Sequence, residues 1–123
     1  MADTATVVDA YIAMWNETRQ EARRAIVERV FSADGTYLDP VMAGKGPAGI
    51  DAMLAGAQEQ FPGVRFELVS GPEQHHDRVR FAWRMVDGDG AGEIARGVDF
   101  ATVAEDGRLR SVTGFLEPAV AAA

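Results

Sequence analysis

The spacing of apolar residues changes once along the chain, near Val64, and this change limits the folds that the sequence can adopt. Before that point apolar side chains recur every three or four residues, which is typical of helices with one buried face. After it they alternate with polar side chains, which is typical of half-buried strands. The sequence therefore predicts an α+β domain, with N-terminal helices packed on one face of a curved antiparallel sheet.

Two helices are predicted at the beginning of the chain. The first covers Thr4 to Asn16 and carries one wide apolar face. The second is expected to begin at the T-x-x-E capping box of Thr18 and Glu21 and to stop at Asp34-Gly35. Its arginines and glutamates, Arg23 among them, are expected to face water.

A third helix is predicted from about Pro47 to Phe61, since proline fits the first turn of a helix. A brief strand, Thr36 to Pro40, precedes it. From Val64 onward the alternation predicts a four-strand meander with turns at residues 87–90 and at Asp106-Gly107. A curved sheet covered by helices leaves a cavity at its open end, where small-molecule sites are common.

The length of 123 residues leaves room for one domain, which we place at residues 1–118, with a frayed tail at residues 119–123. The chain has no cysteine, so thiolate chemistry and sulfur-ligated metals are excluded. A net charge of −7 argues against nucleic acid or an anionic membrane as partner. A cytoplasmic location is the default expectation, because no signal or membrane-spanning pattern is recognisable.

No cofactor or metal is expected. The chain lacks the glycine-rich phosphate motif of nucleotide sites. His75 and His76 are adjacent on a predicted strand, so their rings point to opposite faces and cannot share one metal ion.

Three side chains stand where the pattern predicts an apolar or cavity-facing position. Tyr11 lies within the apolar stripe of the first helix, Asp39 ends the short strand, and Asp99 interrupts a strand. Asp99 shares its face with small residues, which leaves room beside its carboxyl group. A buried carboxyl group either finds a partner or stays protonated with a raised pKa. A protonated acid beside a phenol, opposite an ionised acid, would form a proton-transfer site.

These three sites, in the stretches Tyr11–Asn16, Tyr37–Val41 and Val98–Phe100, resemble the corresponding sites of bacterial ketosteroid isomerases in order and spacing. The element order is similar to that of the wider SnoaL-like group within the nuclear transport factor 2-like (NTF2-like) superfamily. The resemblance implies a cone-shaped, cystatin-like fold and a homodimer. It further implies that Tyr11 and Asp99 donate hydrogen bonds to an oxyanion and that Asp39 is the general base.

Each of these residues also has a structural explanation. Tyr11 would be a core tyrosine, and Asp39 would organise the turn before Pro40. Asp99 would form a salt bridge to an arginine of a neighbouring strand, Arg84 or Arg110.

The function that we predict is cofactor-independent proton transfer on a small apolar carbonyl compound, as in an isomerase or a SnoaL-like cyclase. The alternative is a domain that binds a small apolar molecule without chemistry. In either case we expect a pocket lined by large apolar side chains: Trp15, Met42, Met53, Phe61, Phe81 and Trp83.

Overall fold

The computed structural model describes residues 3–90 and 92–117. The tail predicted at residues 119–123 lies outside them. The helices of the described part are α1 (Thr4–Asn16), α2 (Gln20–Val30) and α3 (Gly46–Gln60). The strands are β1 (Phe31–Leu38), β2 (Ala43–Lys45), β3 (Arg65–His75), β4 (Arg78–Val86), β5 (Glu93–Val103) and β6 (Leu109–Leu116).

The strands form one six-stranded sheet in the order β2-β1-β6-β5-β4-β3. The predicted meander, β3 to β6, is antiparallel throughout. The expectation of a wholly antiparallel sheet is wrong, because β1 pairs with β6 in parallel. Parallel partners need a long crossover between them, and here that crossover comprises β2, α3 and the first three strands of the meander.

Helix α1 covers the sheet with the face that its sequence predicts. Asp3 caps the helix, since its carboxylate accepts a hydrogen bond from the Thr6 backbone N–H at 3.0 Å. The buried side chains are Val7, Val8, Tyr11, Met14 and Trp15. Tyr11 thereby reaches the interior, where its ring packs edge-on against Phe81 of β4 with the ring centroids 5.2 Å apart.

Helix α2 differs from its prediction at both ends. It begins at Gln20, and no side chain caps it, so the Thr18–Glu21 capping box does not form. It ends at Val30, because Phe31 already starts β1 as a fully buried residue. Gly35 lies within β1, where an added Cβ would stand 2.8 Å from the Phe31 ring. This glycine accommodates the ring and marks an irregular stretch of the pairing rather than a helix stop.

The prediction that Arg23 faces water is wrong: only 4% of this residue is exposed. Its Nε donates to Asp51 Oδ1 at 2.7 Å, and its Nη1 donates to Gln58 Oε1 at 2.9 Å. Gln58 in turn donates to the backbone carbonyls of Trp15 and Glu17. This network, Arg23–Asp51–Gln58, therefore ties α2 and α3 to the end of α1.

The outer face of the sheet is only partly charged. Ion pairs such as Arg84–Glu67 lie toward the β3 edge. Near the middle, Leu38, Phe100 and Phe115 are exposed. The homodimer that the resemblance implies stays a prediction. No helix in the described ranges is long and apolar enough to cross a membrane.

Replacing Asp51 by Ala should lower the free energy of unfolding by about 3–5 kcal/mol, because the Arg23 guanidinium would be left buried without its counter-ion. The matched control is Glu28→Ala, which removes an exposed i,i+4 pair with Arg24 and should cost less than about 0.5 kcal/mol. Urea denaturation measures both. Equal losses in the two variants would contradict a stabilising role for the network.

Candidate functional site

A cavity of about 250 Å³ opens between α1, α3 and the concave face of the sheet. Its lining combines many apolar side chains with a few polar ones: Tyr11, Ile12, Trp15, Tyr37, Asp39, Val41, Met42, Ala57, Phe61, Phe66, Trp83, Met85, Ile94, Ala95, Asp99 and Leu116. The lining includes all three residues that the sequence singles out for chemistry.

Four of the six side chains predicted to line the pocket do so, namely Trp15, Met42, Phe61 and Trp83. Phe81 and Met53 do not, and these two assignments are wrong. Phe81 faces inward from β4, but it lies behind Tyr11 in the core and is 2% exposed. Met53 packs on the outside of the hydrophobic core from α3.

Asp99 is buried, with 2% of the residue exposed, and each carboxylate oxygen accepts one hydrogen bond. The Tyr11 hydroxyl donates to Oδ2 at 2.6 Å, and the Trp83 indole N–H donates to Oδ1 at 2.9 Å. The alternative of a salt bridge to Arg84 or Arg110 is wrong. Arg84 pairs with Glu67 on the outer face, and Arg110 is exposed.

The small residues beside Asp99 make room for the Trp83 indole. Gly97 pairs with Trp83 across β4 and β5, and an added Cβ on Gly97 would stand 2.6 Å from the indole ring. Any larger residue would displace the ring that donates to Asp99. The space that the sequence predicts is therefore filled largely by the protein's own side chain.

Burial raises the pKa of Asp99 to about 6, and the negative charge of Asp39 acts in the same direction. The hydrogen bonds from Tyr11 and Trp83 oppose this rise because they stabilise the charged form. Burial and the charge of Asp99 raise the pKa of Tyr11 well above its ordinary value. At neutral pH the pair therefore consists mainly of an ionised Asp99 and a neutral Tyr11 that donates to it.

Asp39 has a second phenol as its partner. The Tyr37 hydroxyl donates to Oδ2 at 2.5 Å, while the backbone N–H groups of Val41 and Met42 donate to Oδ1 at 2.7 and 2.8 Å. The two backbone contacts are those of a turn-organising aspartate. Asp39 also lines the cavity, so one residue both organises the turn and faces the candidate site.

A comparison with known families matches residues 8–112 to the family model of the SnoaL-like domain. The chain belongs to the SnoaL-like family. A solved structure from Agrobacterium tumefaciens strain C58, provisionally named an isomerase of the SnoaL-like family, shares 38% sequence identity. That match covers 96% of this chain and 100% of the other, with a TM-score of 0.88.

Two more distant structures show the fold of this SnoaL-like domain. An NTF2-like protein of unknown function from Exiguobacterium sp. 255-15 has 15% identity and a TM-score of 0.72, covering 92% of this chain and 99% of its own. A provisionally named SnoaL-like polyketide cyclase from Jannaschia sp. CCS1 has 14% identity and a TM-score of 0.69, covering 95% and 90%. The predicted NTF2-like α+β fold is confirmed. No functionally curated protein matches the chain significantly.

Sequence reasoning misses Gly114 of β6, where the two acids of this SnoaL-like domain meet. A Cβ added there would stand 2.9 Å from Asp99 Oδ1, 3.2 Å from Asp39 Cβ and 3.3 Å from the Tyr37 hydroxyl. The signal is a glycine that pairs with Asp99 across β5 and β6, and it becomes visible only once the strand register is known.

The histidines stand apart from this site. His75 ends β3 and His76 lies in the following turn with a positive φ of 51°, and both are exposed. Within residues 3–90 and 92–117, no three histidine or acidic side chains are grouped closely enough to hold a metal ion.

Replacing Gly114 by Ala should disturb the Asp99–Trp83 hydrogen bond, because the new methyl group displaces Oδ1. Loss of this donor should raise the pKa of Asp99 further and shift the resonance of the Trp83 indole N–H. Carboxyl-carbon and amide NMR measure the two effects. The control is Gly56→Ala on α3, which meets open space and leaves both signals in place. Wild-type values in the Gly114 variant would contradict this role.

The raised pKa of Asp99 also predicts how stability depends on pH. The folded pKa of about 6 exceeds the unfolded value of about 3.9, so the native state binds this proton more tightly. The contribution of Asp99 to stability is fully present below about pH 4 and is lost as the pH rises through about 6.

Asp99→Asn removes this titration. Between pH 4 and pH 7 the variant should gain about 2 kcal/mol in free energy of unfolding relative to wild type. Urea denaturation across this range measures the difference. A change in stability caused by the amide itself is the same at every pH, so it cancels when the two pH values are compared. A difference that does not change with pH would show that the pKa of Asp99 is not raised.

Proposed function

We propose that this SnoaL-like domain is an enzyme that moves a proton at a carbon next to a carbonyl group, using only its own side chains. The observation that carries the proposal is the Asp99 carboxylate at the wall of an apolar cavity, held by two donors and with a pKa near neutrality. A general base is most effective when its pKa lies close to the working pH.

In the proposed step Asp99 takes the proton. The C–H bond breaks, its electron pair forms a carbon–carbon double bond, and the negative charge moves to the carbonyl oxygen. Neutralised Asp99 then holds the Tyr11 proton less strongly than the carboxylate did. Tyr11 can therefore turn its hydroxyl toward the new oxyanion, so that its hydrogen bond follows the charge. Return of the proton to another carbon completes an isomerisation. Attack of the enolate carbon on a second carbonyl instead closes a ring, and Asp99 then gives its proton to the new alkoxide.

This assignment differs from the one that the family resemblance implies, because it gives the role of base to Asp99 instead of Asp39. The resemblance makes Asp39 the base and Asp99 an oxyanion donor. The contacts of this chain favour Asp99 as base, because Asp39 already accepts three hydrogen bonds, two of them from a tight turn. We therefore propose that the charge of Asp39 raises the pKa of Asp99. Tyr37 is then the second phenol of the site.

The relatives support the same class of chemistry. The Agrobacterium protein carries the provisional name of an isomerase, and the Jannaschia protein that of a polyketide cyclase. An isomerisation and a ring closure can both begin with the removal of a proton beside a carbonyl.

The test is exchange of the α-protons of a small ketone, 2-tetralone, for deuterium in heavy water, followed by proton NMR. Wild type should accelerate the exchange above buffer. Asp99→Asn should reduce the enzyme-dependent rate at least about 100-fold, the usual scale of general-base catalysis, and Asp39→Asn should reduce it less than about tenfold. Asp9→Asn, at an exposed position of α1, is the matched control and should leave it unchanged.

Two results would contradict this proposal. A larger loss for Asp39→Asn than for Asp99→Asn would restore the roles that the family resemblance implies. If wild type accelerates no exchange, proton transfer itself is contradicted.

A second candidate function is binding of a small apolar molecule without chemistry. One observation favours it: within the described residues, every buried side-chain nitrogen and oxygen atom already has a hydrogen-bond partner inside the protein. A site of this kind holds a ligand mainly through its apolar wall. It would show saturable binding, no proton exchange, and little effect of Asp99→Asn on an apolar ligand.

A further inference from the structure

The polar and apolar parts of the cavity are separated by depth. Four of the lining side chains that carry polar atoms, Tyr11, Tyr37, Trp83 and Asp99, are each 9% exposed or less, whereas Asp39 is half-buried. The exposed members of the lining are apolar: Val41, Phe61, Ile94 and Leu116. A ligand therefore enters past an apolar rim and places its polar group, if it has one, at the buried end.

The formal charges of the described lining are both negative, on Asp39 and Asp99. The nearby arginines are engaged elsewhere, since Arg84 pairs with Glu67 and Arg96 with Glu93 on the outside of the sheet. A carboxylate or phosphate on a ligand would either face these acids or lie unpaired against the apolar wall. Both positions are unfavourable for an anion.

The buried end offers acceptors, whereas the donors that contact these acceptors are already engaged. The hydroxyls of Tyr11 and Tyr37 and the indole N–H of Trp83 donate to the two carboxylates. A carboxylate provides about four lone-pair sites, and Asp99 uses two. A ligand hydroxyl therefore finds a free acceptor, while a ligand carbonyl that approaches Asp99 has to draw Tyr11 or Trp83 away from this carboxylate.

The volume limits the ligand to a compact molecule. Sites for drug-sized molecules usually measure about 300–1,000 Å³, and this cavity of about 250 Å³ lies below that range. The rim is open, so substituents can project outward, but the part beside Asp99 must be small.

We propose that the cavity selects uncharged molecules that contain a single ring or two fused rings and carry an enol or phenol hydroxyl group. This hydroxyl donates a hydrogen bond to the Asp99 carboxylate. This inference rests on the proposed function in taking the cavity as the substrate site. For a carbonyl substrate, it means that the enol form binds more tightly than the keto form. Such preference lowers the cost of forming the enol inside the site.

Four aromatic probes separate the parts of this proposal: 2-naphthol, 2-methoxynaphthalene, 2-naphthoate and 1-hydroxypyrene. Binding is measured at pH 7.5 from the shift of the Trp83 indole N–H resonance, assigned with Trp83→Phe. The phenol 2-naphthol should bind with saturation. Its methyl ether, which cannot donate, should bind at least about tenfold more weakly, the scale of a hydrogen bond to a charged group.

The other two probes test charge and size. The anion 2-naphthoate should bind at least about 100-fold more weakly than 2-naphthol, because its charge faces Asp99 and Asp39. The four-ring phenol 1-hydroxypyrene should also bind more weakly, since it exceeds the space beside Asp99. Equal affinities for 2-naphthol and its ether, or tighter binding of the anion or of the four-ring phenol, would overturn the proposal.

Three variants locate the binding. Asp99→Asn should weaken the binding of 2-naphthol about tenfold or more. The ratio of its affinity to that of the methyl ether should also fall. Ala95→Leu fills the cavity from its wall and should abolish binding. Ala82→Leu, on the outer side of the neighbouring strand β4, is the matched control and should leave binding unchanged. Binding that survives Ala95→Leu places the probe outside the cavity and contradicts the inference.

The failure of this proposal can be distinguished from that of the proposed function. Selective binding of 2-naphthol without ketone exchange would sustain the ligand class and contradict the catalysis. Ketone exchange that requires Asp99, with no preference for 2-naphthol over its ether, would sustain the catalysis and contradict the ligand class.

Discussion

The carboxyl group of Asp99 stands inside the protein, and the surrounding elements are arranged so that it can remain there. Removing a carboxylate from water costs several kcal/mol unless hydrogen bonds replace the lost solvation. Here Tyr11 of α1 and Trp83 of β4 supply those bonds. Both donors are large aromatic side chains, so the groups that solvate the acid also pack the helix against the sheet. The hydrogen bonds to Asp99 and the apolar packing of α1 on the sheet thus depend on the same two residues.

The pairing of β1 with β6 brings a second acid beside the first. Because β1 runs parallel to β6, its end delivers Tyr37 and Asp39 to the neighbourhood of Gly114. Gly114 pairs with Asp99 of β5 on its other side. Two stretches that are sixty residues apart in sequence therefore meet across one glycine. The strand register therefore sets how close the two acids lie to each other.

Much of the fold could be predicted from the sequence because periodicity reports which face of an element is buried. It gives α1, α3 and the meander, and it places Tyr11, Asp39 and Asp99 on inward or cavity-facing positions. Periodicity does not report depth, so Phe81 was predicted to line the cavity although it lies behind Tyr11. Nor does it report which elements meet: the burial of Arg23 depends on Asp51 of α3, and the role of Gly114 depends on the register of three strands.

The Arg23–Asp51–Gln58 network shows how the helices are held independently of the cavity. None of its three side chains lines the cavity, yet together they join α2 and α3 to the carbonyl groups at the end of α1. The rim residues Val41, Phe61, Ile94 and Leu116, by contrast, are exposed and lie outside the buried core. Selection can therefore exchange the side chains of the rim while the scaffold stays intact. A fold whose stabilising network is separate from its ligand rim can change its ligand preference one substitution at a time, because each variant still folds.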